Sequence, residues 1–270
     1  MKSGKPKNIK LHILSRPSSK KALIIVKHPK LKTGFFGFDF STHEVVEGQW
    51  LNGKVYERRS DLSHDGKYII YFAAKFHLQG KNMAFTALSR FPYFKAVDYH
   101  AKGHTWNGGG LFLSETEYLL NETYSSDEVT KNSPFKIKKG KLNNLTADEE
   151  TEGIYYPRLR RDGWKDEGET EEFQLFTFSY KDWTIRKECR CNFDEKKQGK
   201  SMHYDINELY NPKKELVMRI ESDWMEFRND KVYWADGGKI YCAPLNAFDK
   251  KEEIMDLLKF GFKSITVNYD

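Results

Sequence analysis

Apolar and polar residues alternate over short runs almost everywhere after residue 10, with turn residues between the runs. A period of two marks strands with one buried face. It predicts strands over 11–15, 22–27, 34–40, 54–59, 68–74, 83–90, 94–99 and 110–113, and, after a break, over 154–159, 173–180, 184–192, 202–206, 216–220, 231–235, 239–243 and 265–269. Many short strands at this density mean a sandwich, a barrel or a propeller. Residues 121–152 depart from the pattern: they are rich in Ser, Thr, Asn, Asp, Glu and Lys around Pro134, and read as a long polar loop. Residues 249–261 read as a helix. Asp249 is placed to cap it with Glu252 as partner, Ile254, Leu257 and Leu258 form an apolar stripe, and Gly261 supplies a stop. Pairing of the last strand with an N-terminal one would leave no sheet edge open.

A small motif recurs among these strands. Asp61-Leu62-Ser63-His64-Asp65-Gly66-Lys67 leads into the apolar run Tyr68-Ile69-Ile70-Tyr71-Phe72 through an Asp-Gly turn, a strong hairpin signal. Arg158-Leu159-Arg160-Arg161-Asp162-Gly163 has the same spacing, and Glu226-Phe227-Arg228-Asn229-Asp230 is a looser copy one residue shorter. Asp65 is expected to accept amide hydrogen bonds within its own turn, and Gly66 to take the positive φ that a short hairpin requires. Ser63, Asp65, Gly66 and Lys67 resemble the repeat of WD40-like bacterial propellers of the TolB and PD40 type: strand, Ser-Pro-Asp-Gly, charged residue, apolar strand. His64 replaces the proline, and the second copy has Arg160-Arg161 in place of Ser-Pro. The whole chain also resembles a group of uncharacterised bacterial proteins. The resemblance implies an all-β fold, a small β-propeller. At ~40 to 50 residues per blade there is room for about five or six blades, with one short C-terminal helix.

Composition narrows this without changing it. A chain of 270 residues suits one all-β domain over 1–270, with a flexible basic tail over 1–10. Aromatics reach 15%, which suits packing on pleated sheets and argues against disorder. No run approaches the ~20 apolar residues of a membrane span. The basic N-terminus is followed by no continuous apolar segment of a signal peptide. With three cysteines, Cys189, Cys191 and Cys242, a cytoplasmic location is expected and the thiols read as idle. The net charge of +6 is small against 45 basic and 39 acidic residues, so the surface reads as plainly charged.

One stretch carries most of the candidate chemistry. His100-Ala101-Lys102-Gly103-His104-Thr105-Trp106-Asn107-Gly108-Gly109-Gly110 follows Arg90, and its three glycines suit a close backbone approach, a positive φ or a ligand against the main chain. Trp106 offers a flat apolar face, and Arg90 or His100 can bind an anion or a carbonyl. The structural alternative is a tight turn with a buried tryptophan. His100 and His104 with Asp98 have the atoms of a metal site but no rigid helix to hold them, so no metal is expected. Phosphate-loop, nucleophile-elbow and dinucleotide motifs are absent from the sequence, and no cofactor is expected.

The leading functional expectation is a non-catalytic binding module, whose propeller mouth holds a peptide, a protein or a small polar ligand through Arg59, Arg90, His100, Trp106 and Arg158. Arg59 and Arg158 occupy similar points of two motif copies, which places both toward a common axis. The enzymatic alternative is a propeller glycoside hydrolase using Asp61, Asp98 and Asp223. A second alternative, nucleic-acid binding, rests on the net charge and on the basic run 136–141, and neither nucleic acid nor membrane is an expected partner.

Overall fold

The computed structural model of the protein describes residues 9–122, 127–140, 151–191, 202–222 and 224–265. The fold is mostly β, in a five-blade β-propeller arrangement. The chain divides into two compact units, Met1–Asp162 with Phe260–Asp270, and Gly163–Lys259.

The first unit opens with β1 (Lys10–Ser15), β2 (Lys21–His28), β3 (Lys32–Asp39) and β4 (Val45–Asn52), an antiparallel sheet in sequence order. Ala22 to Val26 of β2 are wholly buried, as an uninterrupted apolar run requires of a central strand covered on both faces. The second sheet follows with β5 (Lys54–Leu62), β6 (Tyr68–Ala74), β7 (Ala84–Arg90) and β8 (Ala96–Ala101). Then come β9 (Gly110–Phe112) and β10 (Glu117–Asn121), β11 (Asp127–Lys131), which extends the second sheet beside β8, and β12 (Lys136–Gly140), which pairs parallel with β10 in a third sheet. The first two sheets share a core of Leu23, Ile25, Phe35, Val55, Leu62, Ile69, Tyr71 and Phe85.

Asp65 does what its turn demands: its Oδ1 accepts from the Lys67 amide (3.0 Å) and the Ser63 hydroxyl (2.7 Å), while Gly66 sits at φ 69°. These contacts hold the Asp65 carboxyl below its ordinary range, although partial burial pulls the other way.

The second unit contains β13 (Lys165–Glu169), β14 (Phe173–Tyr180), β15 (Trp183–Cys191), β16 (His203–Tyr210) and β17 (Leu216–Glu221) in one sheet, and β18 (Met225–Arg228), β19 (Lys231–Asp236), β20 (Lys239–Pro244) and β21 (Glu252–Asp256) in another. Ile185, Leu209, Met225, Phe227, Val232, Trp234 and Ala243 make its core. Alternate positions of β15 and its neighbours carry an ionic row. Arg186 donates to Glu208 at 2.8 Å, and Arg190 donates to Glu188 at 2.8 Å and to Glu172 at 2.9 Å.

Several expectations are corrected. Residues 154–159 are not a strand: a π turn over Thr151–Tyr155 runs into the helix α1 (Tyr156–Arg161), with Pro157 in its first turn where no amide is required. Asp162 therefore terminates a helix, its amide donating to the Arg158 carbonyl, and Asp162-Gly163 is not the counterpart of the Asp65-Gly66 hairpin. The third copy is a true hairpin, with Asn229 and Asp230 between β18 and β19. The C-terminal helix is absent: 3-10 turns at Phe248–Lys250 and Leu257–Lys259 flank β21, which pairs with β20. The 121–152 stretch contains β11 and β12, and strands at 45–52, 117–121, 165–169 and 225–228 had no expectation. Of the basic tail, Ile9 is buried and Lys10 opens β1, while residues 1–8 lie outside the described residues, as do 266–269 of the last expected strand.

Candidate functional site

The residues singled out in the sequence do not converge on one point. Arg59 and Trp106 belong together. Between Tyr56, paired with Phe72, and Asp61, paired with Ile70, β5 carries a wide bulge. From it the buried Arg59 sends Nη1 to the carbonyls of Thr105 and Asn107, each at 2.8 Å. The glycines beyond these carbonyls explain the closeness: a Cβ on Gly109 would lie 2.1 Å from the Arg59 carbonyl, and one on Gly108 would lie 2.4 Å from the Phe72 ring. The loop is the tight turn of the structural alternative, yet Trp106 is 76% exposed at its crest instead of buried.

The crest has neighbours that sequence reasoning missed. The β6–β7 hairpin loop ends at the same edge of the sheet, because Ala74 pairs with Ala84 and Phe85 with Ala101. It approaches the Trp106 loop directly, since a Cβ on Gly103 would lie 3.1 Å from the Lys81 Cα. Phe76 on it is 50% exposed and Leu78 is 38% exposed. The readable signal was Phe76-His77-Leu78 inside a turn, where apolar side chains have no core to enter. The segments 52–54, 75–82 and 102–107 at this edge hold Lys54, Lys75, Lys81, Lys102, His77 and His104, and no carboxylate. Acidic positions adjoin these segments at Glu122, next to Asn121, whose carbonyl accepts from the Gly108 amide, and at Asp127 and Glu128 on β11 opposite Ala101 and His100.

His100 and Asp98 are buried in a separate network. His100 Nε2 lies 3.2 Å from the Tyr118 hydroxyl, which donates to Asp98 Oδ2 at 2.9 Å. Asp98 also accepts from the Asn132 amide at 2.9 Å, the Ser133 amide at 2.8 Å and the Ser133 hydroxyl at 2.5 Å. This carboxylate anchors the segment after β11.

Arg158 sits in a third place, on α1 rather than at a strand end. It donates to the Ser60 carbonyl and, at 3.0 Å, meets His12 of β1, and burial pulls its guanidinium below the ordinary range against the attraction of Asp61. Beside it Arg161 forks onto Asp61, with Nη2 to Oδ1 at 3.0 Å, while Asp61 Oδ2 accepts from the Phe112 amide at 2.8 Å. Asp61 and Asp98, two of the three carboxylates named for a hydrolase, are thus both committed to structural contacts, and Asp223 lies outside the described residues. Arg90 is exposed at the opposite end of the same sheet from Trp106, across from Tyr68.

None of the three cysteines is in a disulfide. Among the described residues, no helix is long and apolar enough to cross a membrane, and no group of three His, Cys, Asp or Glu side chains is placed to hold a metal.

No protein-family profile matches the chain, and no curated protein does. Among solved structures it is similar to an uncharacterised protein of Listeria monocytogenes EGD-e, 11% identical over 92% of this chain and 83% of that one, with a TM-score of 0.33.

Proposed function

We propose that this chain is a non-catalytic binding module of the WD40-like propeller kind, and that the edge of the second sheet bearing Trp106 holds an acidic segment of a partner protein or peptide. The observation that carries this reading is a tryptophan left 76% in water on a loop that a buried arginine holds in place. An apolar group of this size, with Phe76 and Leu78 on the adjoining loop, is the composition of an interaction surface, and aromatic anchors supply most of the binding energy at such surfaces. Four lysines and two histidines without a carboxylate in the three segments set the sign of the partner's charge. Arg59 serves as a positioning residue beneath the loop, and Arg90, at the other end of the sheet, takes no part. The thiols support a cytoplasmic setting.

The experiment is selection of an acidic peptide library on the full chain, followed by titration of the retained peptides. Trp106→Ala combined with Phe76→Ala is expected to weaken binding by about thirtyfold or more, equivalent to ~2 kcal/mol, with an unchanged thermal midpoint and an affinity that falls as salt rises. Retained peptides that bind the double variant as tightly, or a library from which no acidic peptide is retained, would overturn the reading.

A further inference from the structure

A second concave site lies wholly within the second unit, and it is built from two tight turns. Tyr180 pairs with Trp183 and Arg228 with Lys231, so each hairpin closes on two residues. Lys181 and Asp182 in the first, and Asn229 and Asp230 in the second, all have positive φ, at 48°, 66°, 48° and 61°. Such turns ordinarily carry Asn-Gly or Asp-Gly, because glycine takes this backbone freely. Neither turn contains a glycine. Conformational cost retained at two facing turns points to side chains kept for a use.

One residue of each turn, Lys181 and Asp230, lines a cavity of about 310 Å³ together with Trp183, Leu245 and Asn246. Asp230 Oδ1 accepts from the Tyr180 hydroxyl at 2.7 Å and pairs with Lys181 Nζ at 2.6 Å. Among the described residues, Asp230 Oδ2, the Trp183 indole N–H and the Asn246 side-chain amide have no hydrogen-bond partner. One acceptor, one donor and one group that does both therefore belong to residues lining the same cavity, with Asp230 and Asn246 exposed to water. The charges of Lys181 and Asp230 cancel, which leaves no counter-charge for an ionic ligand. Hydroxyl groups both donate and accept, and the C–H face of a sugar ring lies against an aromatic plane. The volume is at the small end of ligand pockets, ~300 to 1,000 Å³, and suits a single ring.

We infer that this cavity binds a neutral monosaccharide or a terminal sugar of that size. The site does no chemistry on it. It is separate from the Trp106 edge, which belongs to the other unit.

The test uses the full chain, with methyl α-glucoside, methyl α-galactoside and methyl α-mannoside as probes in saturation-transfer NMR and fluorescence titration. At least one probe is expected to bind saturably. Asp230→Gly, which relaxes its turn, and Asn246→Ala are each expected to weaken that binding about tenfold without lowering the thermal midpoint, while Trp106→Ala leaves it intact. Absence of saturable binding by all three glycosides, or unchanged affinity in the Asp230→Gly, Asn246→Ala double variant, would overturn the inference.

Discussion

Asp98 shows how much rests on one side chain. It is fully buried, and it persists there because four donors from Tyr118, Asn132 and Ser133 replace its water. Asp98→Ala strands those donors, and we expect a loss of about 3 kcal/mol in urea denaturation, since buried amides left without an acceptor keep their full desolvation penalty. The strand around Asp98 was legible in the alternation of the sequence. Its partners were not, because the Asn132 amide comes from 34 residues away. Trp106 is the converse. Its flat face was readable at once, but its exposure depends on Gly108 and Gly109 pressing the loop against Phe72 and Arg59, so that the ring has nowhere inward to go.

At the scale of elements, the decisive pairing joins α1 to β5. Arg161 is raised above the ordinary arginine range: burial opposes its charge, but the attraction and hydrogen bonds of Asp61 and Asp162 outweigh that opposition. Removing Arg161 leaves the buried Asp61 with only the Phe112 amide and the more distant Arg16, at 3.8 Å, to offset its charge. Arg161→Met is expected to cost about 3 to 5 kcal/mol by chemical denaturation, far more than loss of an exposed pair such as Lys67 with Asp65. The sequence offered Arg158 to Trp164 as a copy of the Asp65 hairpin, and the local code fits both forms. A dipeptide Asp-Gly closes a hairpin or ends a helix equally well, and Pro157 together with burial of Leu159 selects the helix. The opposite error occurred at 249–261. Cap and stripe signals there favour a helix by a small margin, whereas β20 offers Glu252–Asp256 a ladder of backbone hydrogen bonds.

For the molecule as a whole, buried ionisable groups bracket the pH range of stability. Burial would raise the Glu208 carboxyl, but the hydrogen bonds from Arg186 and Tyr210 hold it below its ordinary 4.5. The native state therefore binds that proton less readily than the unfolded chain, and stability present above about pH 4.5 is lost as pH falls. The alkaline limb has the other sign. Burial, with a hydrogen bond to Glu252, pushes the Cys242 thiol from 9.0 to about 12, and burial beside Cys242 pushes Tyr233 from 10.0 to about 12. The unfolded chain loses these protons first, so stability falls as pH rises from about 9 toward 12. A plot of thermal midpoint against pH is expected to decline at both ends, with Cys242→Ala flattening the alkaline decline and Glu208→Gln the acid one. A Cys242→Ala profile identical to that of the parent would show that the thiol ionises freely in the native state. Alternation and turn residues sufficed by themselves to determine the β class, most strand positions and the Asp65 turn, because these depend on neighbours within a few residues. Only the tertiary structure decided the edge strands β11, β12 and β21, the helix at α1, and which polar groups are buried or face water. Those outcomes turn on backbone pairing and desolvation between residues far apart in the chain, where local preference is too weak to choose.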